Sequence, residues 1–503
     1  MNRRQFLQTF GAGIGAGALA VAPLAQALAA LPEGALAPAA SAVDPVAHAI
    51  ARLTFGVTPA LYTHVQKIGA TAFVTEQLAP ESIDDSALDQ LMQPYTDILS
   101  QNGGLLQQQY GGMRQIVSGA LLGSWMTHAV YSERQLYERM VEFFSNHFHE
   151  YIGKETVLFL KVDDERDVIR PNVLTNFRQL LGASAHSPAM LLFLDNAEST
   201  KDVPNENYAR ELMELHTLSV DGGYTETDVK EVARCLTGWS IDRPRDTADG
   251  SIHYRFRRAI HDNNAKTVLG TTIPGGGGEQ DGDTVLDLLV SHAATAKFIS
   301  TKIARRFVSD TPPDDLIAQM AATFQQTNGD IKAILNTLFN SMEFWNAPPK
   351  FKQPFEYDMS VLRALNFSVT NSRHFIRALS GSLDTMGQIP LTWPQPNGFP
   401  DVADEWMGSM LERWNVALAA VTNQIPGARM DVEPILNLMT AQQIPMQIGD
   451  MLSFMGSYLI GRELTSDEEN IVVDFARNSA SDVQTQFASG TALLLASPAF
   501  QYR

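Results

Sequence analysis

Ionisable side chains are densest between residues 205 and 216, where the chain reads Asn-Glu-Asn-Tyr-Ala-Arg-Glu-Leu-Met-Glu-Leu-His. On a helix, residues three or four apart share a face, so Glu206, Arg210 and Glu214 stack on one side. Glu211 lies on the same broad face. Carboxylates around one guanidinium can hold a metal or divide into a general acid and a general base. These four residues are the predicted catalytic candidates. The competing interpretation is a solvated, salt-bridged helix face.

Histidines supply a second candidate site. His147 ends an aromatic-rich segment, and His216 falls on the apolar face of the 205–216 helix. Burial among aromatic rings lowers a histidine pKa and keeps the imidazole neutral, which is the form that binds metals. With Glu211 as a third ligand, these histidines form a predicted site for a divalent metal. The alternative is that both are hydrogen-bonded core histidines. The zinc-protease pattern HExxH is absent.

Apolar residues recur at helical spacing from Asp44 onward, so we expect these candidate residues to be positioned by helices. We predict helices over 133–151, 292–308, 313–325, 329–341, 443–457, 465–477 and 482–496. Residues 251–258 alternate and predict one arm of a small hairpin. Gly/Pro-rich stretches at 240–282 and 388–406 interrupt the helical pattern. The expected fold is all-α: a single large multi-helix domain over 45–503, with irregular insertions and at most a small hairpin.

The charge balance restricts the partners of this chain. Its 503 residues contain 56 Asp plus Glu and 37 Lys plus Arg, a net charge of −19. Nucleic-acid binding requires clustered cations that displace counterions, and an anionic membrane surface attracts cations. We therefore expect neither nucleic acid nor an anionic membrane as a partner. The single cysteine, Cys235, forms neither an internal disulfide nor a CxxC metal site.

Residues 1–29 have the organisation of an export signal. Arg3 and Arg4 precede an apolar Gly/Ala-rich run, and small residues allow cleavage after Ala27 or Ala29. The arginine pair predicts a twin-arginine signal and a periplasmic or extracellular protein. Glycines interrupt the apolar run, so no stable membrane span is expected after cleavage. The alternative is an uncleaved N-terminal anchor. The Ala/Pro-rich residues 30–44 predict a linker.

Several motifs together resemble the bacterial family named domain of unknown function 1800. The matching stretches are 51–59, 140–147, 205–239, 261–270, 294–308, 394–398 and 496–501. The resemblance implies a mostly helical exported protein, and it implies no activity and no catalytic residues. Members are often encoded beside an exported family similar to alkaline phosphatases and sulfatases, so the resemblance also implies a partner of that kind.

Two hypotheses about function follow. The first is an exported enzyme, assisted by a metal or another cofactor, whose Glu/Arg/His site lies between helices. The second is a non-catalytic exported binding or assembly module that acts with a partner protein. In the second, the 205–216 charges are structural and the Trp/Pro stretch 388–406 is the docking surface.

Overall fold

The computed structural model describes residues 21–38, 44–242 and 246–503. Arg3 and Arg4 of the predicted signal lie outside the described residues. So do residues 39–43 of the predicted linker and residues 243–245 of the first insertion.

The first half of the described chain is a succession of short helices. They are α1 Val21–Ala29, α2 Pro45–Leu53, α3 Pro59–Ile68, α4 Ala70–Gln77, α5 Ser86–Leu99, α6 Gly103–Tyr110, α7 Arg114–Tyr131, α8 Gln135–His147, α9 Val157–Asp163, α10 Arg170–Asn172, α11 Phe177–Ala185, α12 Pro188–Phe193, α13 Glu206–Glu214 and α14 Glu226–Cys235. A π-helical segment, Asp164–Ile169, joins α9 to α10.

The second half continues in the same way. Its helices are α15 Gln280–Ser291, α16 Ala293–Phe307, α17 Asp314–Gln326, α18 Ile331–Phe339, α19 Met342–Trp345, α20 Pro354–Ala364, α21 Ser372–Thr385, α22 Met410–Val421, α23 Glu433–Ala441, α24 Ile448–Ile460, α25 Ser466–Ser479 and α26 Val483–Ala496. The all-α prediction is confirmed.

Strands are few and short. Three antiparallel pairs occur among the described residues: β1 Trp239–Ile241 with β2 Tyr254–Phe256, β3 Lys266–Val268 with β4 Thr271–Ile273, and β5 Phe367–Val369 with β6 Ala428–Met430. The alternating segment 251–258 supplies β2, as predicted. At three residues each, these strands shape loops and do not form a core layer.

Local capping chemistry sets where helices begin. The Thr225 hydroxyl accepts from the Asp228 backbone N–H, and Asp228 accepts from the Thr225 N–H, which completes a capping box at the start of α14. Such contacts depend only on nearby residues, so their positions could be predicted from the sequence.

Two large hydrophobic clusters organise the helices. The first combines α5, α7 and α20 with helices α21 to α26. The second combines α2 to α4, α8 and helices α11 to α18. Helices α2, α8 and α16 of the second cluster bring charged side chains to the seam where α20 of the first cluster lies. This seam holds the candidate site.

The segment before α2 is docked on the domain. Leu36 is fully buried, and its backbone N–H donates to Glu468 Oε1 at 2.7 Å. Arg462 binds both Glu468 and the Ala37 carbonyl. Burial acts to raise the pKa of Glu468, but hydrogen bonds from Arg462 and from backbone N–H groups outweigh it and lower the pKa to about 2. Leu36 and Ala37 of the predicted linker therefore contact the domain.

The second insertion is ordered by its aromatic residues. Phe399 and Trp406 are buried, and Asn146 holds the Phe399 backbone through two hydrogen bonds of 2.8 and 2.9 Å. Gly398 has φ +69°, and the Asn146 carbonyl lies 2.3 Å from where a Cβ would be. These two buried rings face the interior, whereas Trp393 in the same stretch is half-buried and Pro394, Gln395 and Asn397 are exposed.

Candidate functional site

The predicted catalytic carboxylates lie on the outer side of α13. Arg210 makes a two-pronged ion pair with Glu226 at 2.6 and 2.7 Å and lies 3.6 Å from Glu206. The Glu206 and Glu226 side chains are 41% and 68% exposed, so the Arg210 charge is neutralised near solvent. This arrangement matches the competing interpretation of a solvated, salt-bridged face.

The other two carboxylates are only half-buried. Partial burial, and then the neighbouring Glu214, raise the pKa of Glu211. Glu214 accepts a long hydrogen bond of 3.4 Å from the Tyr224 hydroxyl. Neither carboxylate reaches the interior imidazoles. The apolar face of α13, with Leu212 and Met213 fully buried, turns inward and leaves the charged face outside.

The two histidines do meet. The His147 and His216 rings are 6.0 Å apart between centroids, and both side chains are buried. His147 donates from Nε2 to the His216 carbonyl at 3.2 Å and accepts at Nδ1 from Lys302 Nζ at 2.9 Å. Burial, and then Lys302, lower the pKa of His147 well below its ordinary value. Burial likewise lowers the pKa of His216 to about 3.

The predicted three-ligand metal set is not assembled. Across residues 21–38, 44–242 and 246–503, no group of three or more His, Cys, Asp or Glu side chains could hold a metal ion. His147 and His216 meet inside, but Glu211 stays on the outward face of α13. The third polar neighbour of His147 is the Lys302 amine, whose charged form repels a cation.

A cavity of about 110 Å³ lies at the seam between the hydrophobic clusters. Its charged lining is four basic side chains and one acid: Arg52, Arg139, Lys352, Arg503 and Glu356. Arg52, Arg139, Lys352 and Glu356 are at most 8% exposed, and the Arg503 side chain is 2% exposed. The cavity thus carries an excess of basic groups inside a protein whose net charge is −19.

Glu356 cannot neutralise this excess. Its Oε1 accepts from Arg139 and lies 3.2 Å from Arg503 and 3.4 Å from Arg306, while Oε2 accepts from the Gln353 N–H. Burial acts to raise the pKa of Glu356, but the three guanidiniums outweigh burial and hold that pKa well below its usual range. Three guanidiniums therefore share Glu356, although Arg306 also pairs with Glu142 and lies 3.7 Å from Asp401.

Several guanidinium N–H groups in the cavity wall have no partner. Arg139 leaves Nε and Nη2 free, Arg503 leaves Nε and Nη1 free, and Arg52 leaves Nε free. Arg52 otherwise donates to the Phe307, Val308 and Pro348 carbonyls, and so caps the end of α16. Buried donors without acceptors are costly, at about 1–3 kcal/mol each.

Lys352 is the most unusual of the basic groups. Its Nζ donates to Ser360 Oγ at 3.2 Å and lies 3.6 Å from the centre of the Phe500 ring. Burial lowers the pKa of Lys352 to about 7, with Arg413 and Arg503 adding to the shift and Glu356 opposing it.

A second buried charge cluster places one ammonium between two acids, and burial, followed by the neighbouring Asp164, raises the pKa of Glu150 well above its ordinary value. Lys161 Nζ lies 3.0 Å from Glu150 Oε2 and 2.5 Å from Asp164 Oδ2, and all three side chains are at most 2% exposed. The π-helical segment begins at Asp164. Because both carboxylates face one ammonium, this cluster has the character of a structural network.

A family model described as "Protein of unknown function (DUF1800)" matches residues 48–502. The chain belongs to this family. No curated protein and no solved structure matches the chain. None of the described helices is both long and apolar enough to cross a membrane.

Sequence reasoning missed the residues of the seam cavity. A signal was present: Arg52 and Arg139 interrupt apolar helix faces, between Ile50 and Leu53 and beside Met140. A basic residue in a buried stripe needs a partner. The partner could not be read from the sequence, because Glu356 lies more than two hundred residues beyond Arg139.

Proposed function

We propose that this protein binds a small anionic ligand in the cavity at the seam. The observation that carries the proposal is the set of unpartnered guanidinium N–H groups on Arg139 and Arg503, buried in a cavity that has one carboxylate for four basic side chains. The function belongs to the binding class, and the chemistry of the ligand is that of a carboxylate or phosphate group.

Several guanidinium N–H groups around the cavity lack hydrogen-bond acceptors. Hydrogen bonds between ionised groups are among the strongest in proteins, and guanidinium groups match carboxylate and phosphate oxygens in pairs. A bound anion would accept from donors that otherwise have no acceptor. It would also offset the repulsion that Arg139 and Arg52 exert on Arg503.

Calorimetric titration of the purified protein with inorganic phosphate, in buffer free of other oxyanions, tests this proposal. We expect binding that weakens at least tenfold in Arg503→Met, because that change removes two free donors and one positive charge. The matched control is Arg363→Met. Arg363 is also buried, but it donates to the Gly56 and Val130 carbonyls and does not line the cavity.

Thermal unfolding of each variant with and without phosphate supplies the second readout. A ligand that binds the folded state raises the midpoint in proportion to its affinity. The wild type and Arg363→Met should gain stability from phosphate, and Arg503→Met should gain much less. Absence of phosphate binding by the wild type at millimolar concentration would refute the proposal.

We further propose that the protein works outside the cytoplasm, having left by the twin-arginine route. The support is the Arg3-Arg4 pair, the apolar run after it and the small residues near Ala27. Changing both arginines to lysine should leave the uncleaved precursor in the cytoplasm, as judged by fractionation and blotting. Unchanged export of that double variant would contradict the route.

The partner implied by the family resemblance remains a proposal as well. We expect an exported protein of the phosphatase or sulfatase type to associate with this chain. Co-expression of the two proteins followed by size-exclusion chromatography tests the pairing. Separate elution at micromolar concentration of both proteins would argue against a stable complex.

A further inference from the structure

Buried lysines in this protein fall into two groups. Lys161, Lys266 and Lys350 each make an ion pair with at least one carboxylate. Lys352 makes none within the described part of the chain, and its hydrogen bond is to the Ser360 hydroxyl. Lys352 also lines the cavity, while Lys350, two residues away, does not. The Lys352 amine thus lies beside the proposed anion site, and no carboxylate pairs with it to stabilise its protonated form.

We propose that the cavity takes an anionic carbonyl compound of the 2-oxo acid class and that Lys352 forms an imine with its carbonyl carbon. This inference rests on the proposed anion site, since Arg139 and Arg503 hold the carboxylate of the same ligand. It adds covalent bond formation to a binding site.

The neutral amine that this chemistry needs is present near neutral pH. Burial beside Arg503 and Arg413 lowers the pKa of Lys352 to about 7. About three-quarters of such amines are unprotonated at pH 7.5, compared with roughly 0.1% for a lysine of ordinary pKa. Desolvation next to other cations is an established way to activate a lysine nucleophile.

The groups around Lys352 have separate roles in binding the ligand. Four guanidinium nitrogens on Arg139 and Arg503 have no acceptor, so the carboxylate of the ligand would bind to them and not to the amine. Glu356 has both oxygens occupied and does not compete for Lys352. Apolar walls that include Phe55, Val57 and Phe500 suit the alkyl part of the ligand.

A route from solvent to the cavity is also present. A surface groove of about 980 Å³ adjoins the cavity, and Ala47, Tyr62, Ser457 and Gly461 line both. The groove carries Asp44, Asp450, Glu463 and Glu469 as well as Arg462 and Arg477, and a small acid would pass these groups before it reaches the cavity.

The reaction balances without an oxidant or reductant. The Lys352 Nζ lone pair attacks the carbonyl carbon, the C=O π electrons move to oxygen, and a proton passes from nitrogen to that oxygen. The carbinolamine hydroxyl then leaves as water with a second proton. A carbon–nitrogen double bond remains.

Reductive trapping tests the inference. The full-length protein is incubated with pyruvate and sodium cyanoborohydride at pH 7.5, digested and analysed by peptide mass spectrometry. We expect a 1-carboxyethyl group on Lys352 at a level at least tenfold above that on Lys350, which is the matched control. Lys352→Arg should remove the modification. Inorganic phosphate should suppress it by competing for the guanidiniums.

Methyl pyruvate provides the control for charge, because it keeps the ketone and lacks the anion. It should lose the preference for Lys352 over exposed lysines. Equal labelling of Lys352 and Lys350 by pyruvate, or labelling that phosphate leaves unchanged, would overturn the inference. Phosphate binding without pyruvate trapping would refute imine formation but not the anion site. Absence of both would refute imine formation and the anion site together.

Discussion

Replacing Lys352 with methionine should stabilise the ligand-free protein and should do so in a pH-dependent way. Methionine fills a similar volume and removes the amine. The pKa of Lys352 is lowered by burial from 10.5 in the ordinary side chain to about 7 in the folded protein. Between these two values the unfolded chain binds a proton that the folded chain lacks, so lowering the pH favours unfolding.

The magnitude follows from the size of the shift. At about 1.36 kcal/mol per pKa unit, the shift of Lys352 costs about 5 kcal/mol of folding free energy at pH 7 and below. The cost declines as pH rises toward 10.5. The advantage of Lys352→Met over the wild type should therefore fall by roughly 3 kcal/mol between about pH 6.5 and pH 9.5.

Urea unfolding at a series of pH values, in buffers free of phosphate and sulfate, measures this difference. Lys350→Met is the matched control. Lys350 pairs with Asp310 at 2.6 Å and Asp401 at 3.1 Å, so its loss leaves carboxylates without a cation and should destabilise the protein throughout the range. A Lys352→Met variant that is less stable than the wild type, or whose advantage does not change with pH, would refute the reasoning.

Three further changes have defined outcomes. Gly398→Ala should lower the thermal midpoint clearly, since its Cβ would collide with backbone and φ is +69°, while Gly381→Ala, with nothing within 4 Å, should raise it slightly. Lys161→Met should cost about 3–5 kcal/mol in urea unfolding, because two buried carboxylates lose their cation; no loss would show that the cluster is not held by this ammonium. Glu468→Gln should release the segment around Leu36, seen as faster proteolysis near residues 30–38 at neutral pH. Because the pKa of Glu468 is lowered to about 2 by its hydrogen bonds, the wild type should lose the same stabilisation only as pH falls from about 4.5 toward 2; equal proteolysis of variant and wild type at pH 7 would contradict this.

Proximity of the two histidines was the part of the site that sequence reasoning anticipated. Both His147 and His216 fall on apolar faces, and a buried face must meet another buried face, so their approach to 6.0 Å is understandable. The third member was mispredicted. Glu211 was the predicted third ligand, but the group that contacts His147 is Lys302, on α16.

The sequence by itself determined many of the helices, because periodicity and capping are local, although the helix predicted over 443–457 begins only at Ile448 and the one predicted over 133–151 ends at His147. The hydrophobic spacing along α16, α18 and α26 and the Thr225 capping box need only residues within a few turns of each other. It also determined the family, through motifs spread over most of the chain.

Only the tertiary structure decided which charges are inside. The dense charges of 205–216 remain at the surface, since their helix buries the opposite face. Arg52, Arg139, Lys352 and Arg503 lie far apart in sequence and converge only when the two hydrophobic clusters close on each other. The physical reason is that burial depends on how the whole chain packs and not on any local segment. Burial shifts the pKa values of these groups and leaves some of their N–H groups without acceptors.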